Sequence, residues 1–275
     1  MEIKKEGKNL IVYDLDCINL DYTLDCGQSF RWGKDGNIWS AVVYGKRIEA
    51  EQKDENTIVF YNTSEEDFEK LWKNYFDLER DYSSIISRFE NDIYLKTAAK
   101  EYYGIRVLNQ EPWEALCSFI ISQNNNIPRI KGIIKRLCET FGDDLGDGCY
   151  TFPTAEKLST LTPEDLSPLR AGFRAKYIID AAKKVSSGET DFDRILMNDI
   201  SFGRESLMKI CGVGPKVAEC CLLYGLKKSD AFPVDVWVKR IMSELYENGL
   251  PECAYPEIGI AQQYLFHWRR NLKTE

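Results

Sequence analysis

Histidine is almost absent from this chain: His267 is the only one in 275 residues. That excludes a multi-histidine zinc centre and leaves little room for a Ser-His-Asp relay. Taken alone, the residue reads as structural. The nine cysteines, at 17, 26, 117, 138, 149, 211, 220, 221 and 253, contain no C-x-x-C pair. An odd number without that spacing indicates neither a disulfide framework nor a thiolate metal site, and it fits a reducing compartment. No window approaches the ~18 consecutive apolar residues of a membrane span, and the charged opening MEIKKEGKNL has no apolar run behind it. A soluble, cytoplasmic protein is expected. Internal repeats, low-complexity tracts and long linkers are also lacking.

A basic excess is missing too. Lys plus Arg number 36 against 44 Asp plus Glu, a net charge of −8, which argues against the chain-wide cationic surface that many nucleic-acid binders carry. The distribution qualifies this. Residues 1–90 hold 12 basic and 19 acidic side chains, and the remainder is nearly neutral. Its basic residues cluster at Arg129, Lys131, Lys135 and Arg136, at Arg170, Arg174 and Lys176, and at Lys239 and Arg240, which leaves room for a local cationic face.

A chain of this length can bury a core without staples. From Asn9 to Asn62, short β-prone runs (NLIVYD, GQSFRW, IWSAVVYG, RIEA, TIVFYN) alternate with turn residues, including a turn at Gly33 to Gly36, and predict an antiparallel meander. Ser64 followed by Glu65, Glu66 and Asp67 reads as an N-cap, with Phe68, Leu71, Trp72 and Tyr75 at helical spacing. Helices are expected from there on. PWEALCSFIIS and PRIKGIIKRLCETF flank the polar block Gln123 to Asn126, with further helices over 154–159, 163–170, 174–186 and 204–211. The asparagine triplet reads first as a capped turn, though one beside Arg129. The domain boundary is placed near residue 107, dividing a sheet-containing unit, 1–107, from a helical one, 108–275.

The most informative segment is SLMKICGVGPKVAECCLLYGL, 206–226, within a hairpin spanning 204–226. Two helical runs meet at Gly212-Val213-Gly214, a turn too tight for anything but an αα-hairpin, with glycine allowing positive φ at either end, and Pro215 then takes the first helical position. The backbone N–H groups at such a junction make a phosphate site that needs little side-chain charge. The glycines satisfy neither G-x-G-x-x-G nor a P-loop, and a plain packing turn remains the competing reading. Lys216 tips the balance, because a cation in the first turn of a helix opposes the macrodipole. The same field, with partial burial, favours the neutral amine, a usable nucleophile for Schiff-base chemistry. Asp235 follows 19 residues later in AFPVDVWVKR; on local sequence it is an N-cap as readily as a catalytic carboxylate.

Glycine hairpin, Lys216 and then Pro233-Val234-Asp235 resemble the signature of helix-hairpin-helix DNA glycosylases that also cleave abasic sites. GQSFRW at 27–32, PWEALCSFIISQNNNIPRI at 112–130 and LRAGFRAKYI at 169–178 are similar to stretches of the 8-oxoguanine DNA glycosylases, in the same order over nearly the whole chain. The resemblance implies an α+β fold: an N-terminal antiparallel sheet domain like half of the TATA-binding-protein fold, then an all-helical HhH-GPD body. It implies a bifunctional base-excision-repair enzyme that flips 8-oxoguanine out of duplex DNA. Lys216 would attack C1′ and Asp235 would stabilise the positive charge there. Cys220 and Phe266 would sandwich the base, with Gln262 reading its Watson–Crick edge, Pro233 lining the pocket and the Gly27 carbonyl accepting the N7–H that guanine lacks. Asn124, Arg129 and Arg174 would hold the orphaned cytosine and Phe173 would fill the vacated stack. Gly212, Gly214 and Trp237 would contact DNA, and the carbonyls of Met208, Ile210 and Val213 would bind a structural cation. No other cofactor and no iron–sulfur cluster is implied. The expected partner is duplex DNA, bound by a monomer without a membrane.

Three positions depart from the relatives' pattern: Phe173 replaces a tyrosine, Trp237 a histidine and Tyr224 a methionine. Competing readings are a glycosylase for oxidised pyrimidines or alkylpurines on the same scaffold, and a noncatalytic DNA-binding module. Only Cys253 follows the aspartate, which speaks against the four-cysteine cluster of the pyrimidine enzymes.

Overall fold

The computed structural model describes residues 1–272. Its N-terminal part is a six-stranded antiparallel sheet: β1 Glu2–Glu6, β2 Asn9–Tyr13, β3 Gly33–Asp35, β4 Ile38–Val43, β5 Lys46–Asp54 and β6 Thr57–Tyr61, in the order β1-β2-β6-β5-β4-β3. Strands β3 to β6 form the expected meander, and the β1–β2 hairpin adds to its far edge through β2–β6 pairing. Alternation decides which face is buried. Leu10 and Val12, Ile48 and Ala50, and Ile58 and Phe60 all point inward, where Phe68, Trp72, Tyr75 and Phe76 of the following helical segment cover them.

One strand lies outside the expected meander, and two expectations for this part fail. MEIKKE is a strand although it is polar, because as an exposed edge it buries almost nothing and its lysines guard its free side. GQSFRW is not a strand. No neighbouring strand meets it, and buried side chains satisfy its surroundings instead. Gln28 Nε2 donates to the Thr23 and Arg106 carbonyls, both at 2.8 Å, and its Oε1 accepts the Leu108 N–H at 2.8 Å. The residues read as a turn, Gly33 to Gly36, are mostly strand β3.

The rest is helical. Pro112–Ser122 is its axis, with every residue from Trp113 to Ile121 buried. Ile127–Phe141, Arg174–Ser186 and Pro215–Tyr224 surround it, and Val236–Leu245 and Ile258–Asn271 complete the body. The helix expected over 163–170 shrinks to a 3-10 turn, Ser167–Leu169, because Pro168 and a left-handed Arg170 (φ 55°) break it. The first hairpin helix runs Ile200–Leu207, capped by Asp199, and so ends four residues before expected. Asp180 takes the Cys211 N–H at 2.6 Å, which holds the following turn open. The apolar cores interleave in sequence: Cys17 and Phe30 pack in the helical core, Leu108 in the sheet core. Among the described residues, no helix is long and apolar enough to cross a membrane.

Candidate active site and nucleic-acid interface

At the hairpin only one glycine is left-handed. Gly212 has φ +77°, and a Cβ there would lie 2.3 Å from the Tyr177 ring, so both backbone and packing demand glycine. Gly214 has φ −94° and is extended, so only Gly212 uses the positive φ that glycine allows at either end. Its role is the N-cap of Pro215–Tyr224, with no side-chain cap and open space where a Cβ would stand. The first N–H groups of that helix are therefore free for an anion.

Lys216 leaves the first turn half-buried, its Nζ 3.2 Å from Ser122 Oγ and 5.1 Å from the centre of the Phe119 ring. Both partners lie on the central helix, three residues apart and on one face. Asp235 is the N-cap of Val236–Leu245, and its Oδ1 accepts the Val238 N–H at 2.8 Å. One carboxylate oxygen is thus engaged by the helix and the other is left for chemistry. Cys220, a turn beyond Lys216, joins the two. Burial pushes its thiol up to about 11, while the Lys216 charge pulls it down and the Asp235 charge pushes it up. The three groups share one electrostatic neighbourhood.

The other pocket residues converge from the first loop and the last helix. Gly27 has φ +84°, and a Cβ there would touch Arg270 Nη1 at 3.3 Å and Phe266 Cε1 at 3.8 Å. Gln262 is 4% exposed and its Oε1 has no hydrogen-bond partner among the described residues. An unsatisfied buried acceptor costs about 1–3 kcal/mol, a cost that a ligand's donor would remove. Pro233 is buried between Phe232 and Asp235. Tyr224 is a wall residue, stacked on Phe119 at 5.2 Å with its hydroxyl donating to Gln263 Oε1.

A second patch gathers around the asparagine block. Asn124 is exposed and left-handed (φ 48°), and Arg129 is exposed on the helix that Asn126 caps. Phe173 is 49% exposed, a large apolar side chain offered to solvent. Arg174 differs from Arg129 in being only 3% exposed. Its guanidinium donates to the carbonyls of Gln123 (Nε, 2.9 Å), Asn124 (3.1 Å) and Ala171 (3.2 Å), and so braces the Asn124 loop rather than projecting from it. Burial first, then the neighbouring Arg129 charge, lowers its guanidinium from the ordinary value. Trp237 is half-buried, with the Arg240 guanidinium 5.3 Å from its ring. Of the three hairpin carbonyl residues, Met208 is exposed while Ile210 and Val213 are buried, and the Ile210 carbonyl takes the Val213 N–H at 3.0 Å. A cavity of about 350 Å³ between the sheet and Ile127–Phe141, lined by Trp32, Arg47, Lys131 and Tyr150 among others, contains none of these residues.

Three participants carried no sequence signal. Ser122 and Phe119 lie within an apolar helix and meet Lys216 only through packing. Glu219 is 6% exposed and joins Arg204 of the first hairpin helix (2.6 Å) to the Phe232 N–H (2.8 Å). It thereby ties the lysine helix to the loop that delivers Asp235.

His267 is buried against Tyr102, with ring centres 4.5 Å apart. Burial and the Arg270 charge push its imidazole down to about 4, the structural role expected of it.

Residues 10–116 match the model of the 8-oxoguanine DNA glycosylase N-terminal domain, and residues 117–250 that of the HhH-GPD superfamily of base-excision DNA repair proteins. An N-glycosylase/DNA lyase of Saccharomyces cerevisiae is 34% identical over 82% of this chain and 67% of its own. Among solved structures, MBOgg1 with a low-affinity DNA ligand superposes with a TM-score of 0.92 at 39% identity, covering 99% of both chains. The Clostridium acetobutylicum 8-oxoguanine glycosylase/lyase, solved with duplex DNA carrying cytosine opposite 8-oxoG, gives 0.90 at 37% identity over 98% of both. The sheet domain, the hairpin body and these likenesses together place the chain in the N-glycosylase/DNA lyase family, among the 8-oxoguanine DNA glycosylases of the HhH-GPD superfamily.

Proposed function

We propose that this protein excises 8-oxoguanine paired with cytosine from duplex DNA and then nicks the strand. The carrying observation is the hairpin lysine: Lys216 Nζ is held 3.2 Å from Ser122 Oγ and 5.1 Å from the Phe119 ring, with Asp235 capping the next helix through one oxygen only. The lesion leaves the stack, since C1′ is out of reach within a duplex. Lys216 Nζ forms a bond to C1′ as the C1′–N9 bond breaks, and the electron pair departs with the base, which takes up a proton. The free oxygen of Asp235 stabilises the cationic sugar and moves the amine's proton. The ring-opened imine loses its C2′ proton, and the 3′ phosphate leaves by β-elimination.

Phe173 would fill the gap, Asn124 and Arg129 would meet the cytosine, and Arg174 would hold their loop. Gly212, Gly214 and Trp237 would bind backbone phosphates. Among the described residues, none donates a hydrogen bond to the Met208 or Val213 carbonyl. Both carbonyls fit a cation bridging to phosphate, with Ile210 as third donor. No metal or organic group enters the bond-breaking steps of this reading. The two units are taken as 1–107 and 108–275, and the site of action as the cytoplasmic nucleoid, with the enzyme a monomer.

Borohydride trapping on an 8-oxoguanine:cytosine duplex tests the proposal. A covalent adduct is expected with the wild-type protein and none with Lys216→Gln. No adduct with wild type, or an undiminished one with the variant, would sink it. Varying the opposite base checks the cytosine preference separately, and equal rates would remove the role given to Arg129.

A further inference from the structure

Arg270 belongs to no part of the machinery described above, yet it stands inside the pocket. It lies one turn beyond Phe266 on the Ile258–Asn271 helix, and its guanidinium sits 5.6 Å from the centre of that ring. Nη2 is anchored, donating to the Asp25 carbonyl at 3.1 Å. Nη1 is buried and has no partner among the described residues. The point where a Gly27 Cβ would stand is 3.3 Å from this Nη1 and 3.8 Å from the edge of the Phe266 ring. The unpartnered donor therefore lies beside the glycine that faces the base and along the rim of the ring the base stacks on.

A buried N–H of a cation without an acceptor is unfavourable, and such a group persists where a ligand completes it. The anchor at Asp25 fixes one arm of the planar fork, which aims the other. Resting on the proposed function, the geometry points to Arg270 as a specificity-determining residue. Its Nη1 donates a hydrogen bond to the C8 oxygen of the flipped 8-oxoguanine, next to the N7–H that the Gly27 carbonyl accepts. The two contacts together read the two atoms that oxidation changes. Guanine presents an acceptor to the carbonyl and a C8–H to the guanidinium, so it satisfies neither group. The buried Gln262 Oε1 lacks a partner in the same way and faces the same task at another edge of the base.

The test compares two substrates on one protein: single-turnover excision from an 8-oxoguanine:cytosine duplex, and cleavage of an abasic-site:cytosine duplex, which carries no base. Arg270→Met keeps an unbranched stem over Phe266 and removes every donor; Arg270→Ala removes the stem as well. For both variants the ratio of excision to abasic-site cleavage is expected to fall on the order of tenfold or more. A ratio held at the wild-type value in Arg270→Met, whether both rates persist or fall together, would overturn the assignment. Wild-type protein that cleaves the abasic duplex but leaves 8-oxoguanine in place would overturn the proposed function itself and this assignment with it.

Discussion

Asp235 caps a helix, and the proposed reaction gives it a second duty; the two separate by substitution. Asparagine caps helices about as well as aspartate, so Asp235→Asn keeps the bond to the Val238 N–H and is expected to hold its melting temperature. Lacking the charge, it should lose on the order of 100-fold in single-turnover base excision. Asp235→Ala should lose the same activity and, in addition, about 1 kcal/mol of stability in denaturant unfolding. An Asp235→Asn variant with near wild-type excision would confine the residue to capping. Gly27 shows how one residue's meaning depends on its surroundings. Its φ of +84° alone makes alanine costly by roughly 1–2 kcal/mol, and the added Cβ would press on Arg270. Gly27→Ala is therefore expected to cut 8-oxoguanine excision more than abasic-site cleavage. The sequence marked Lys216, since a cation in a first turn breaks a local rule. It could not mark Ser122 or Phe119, whose only distinction is the side chain brought opposite them.

At the scale of elements, the hairpin and the aspartate loop must keep a fixed spacing, and Glu219 supplies the strut. One oxygen holds Arg204 and the other the Phe232 N–H, so three elements meet on a single buried carboxylate. Glu219→Ala leaves that N–H without its acceptor and is expected to cost about 2 kcal/mol, Arg204 being partly solvated. Glu219→Gln retains an acceptor for Phe232 and should restore most of the borohydride-trapped adduct; equal loss in both variants would argue against a positioning role. Local pattern failed where elements are satisfied by distant groups. GQSFRW has strand composition, but distant side chains take the place of a neighbouring strand: Gln110 Nε2 donates to its Gln28 carbonyl at 2.7 Å and Lys131 Nζ to its Trp32 carbonyl at 3.2 Å. Conversely, MEIKKE lacks strand composition and forms one because pairing with β2 needs only backbone. Helices with strong caps were legible almost to the residue: Ile127–Phe141 begins where Asn126 accepts the Arg129 N–H, and Ser64 caps as expected.

For the molecule as a whole, the acidic excess lies in the first ninety residues, and the DNA interface proposed above rests on hairpin amides and a few arginines. Non-specific DNA affinity should then be weak and fall only shallowly with salt, and a steep slope would mean more phosphate contacts than the structure offers. The joint between sheet and helical body carries its own pH signature. Arg31 meets Glu114 at 3.2 Å in a nearly buried pair, yet burial pushes the Glu114 carboxyl up to about 7, with Arg31 opposing and Glu111 adding to the rise. A carboxyl raised on folding contributes stability that is complete below its unfolded value near 4.5 and is lost as pH climbs through about 7. Melting temperature should therefore decline between pH 5 and 8, by the equivalent of on the order of 2–3 kcal/mol, and Glu114→Gln should flatten that decline. A profile as steep in the variant would place the effect elsewhere. The sequence by itself determined the periodic helices, the hairpin with its misplaced lysine and the class of chemistry, because each is written in spacings of a few residues. Only the tertiary structure decided that Arg270 Nη1 lies beside Gly27 and Phe266, that Arg174 turns inward to brace a loop, and that Glu219 joins the Lys216 helix to the loop before Asp235. Those relations join residues dozens to hundreds of positions apart, where burial and packing, not local preference, set which groups meet.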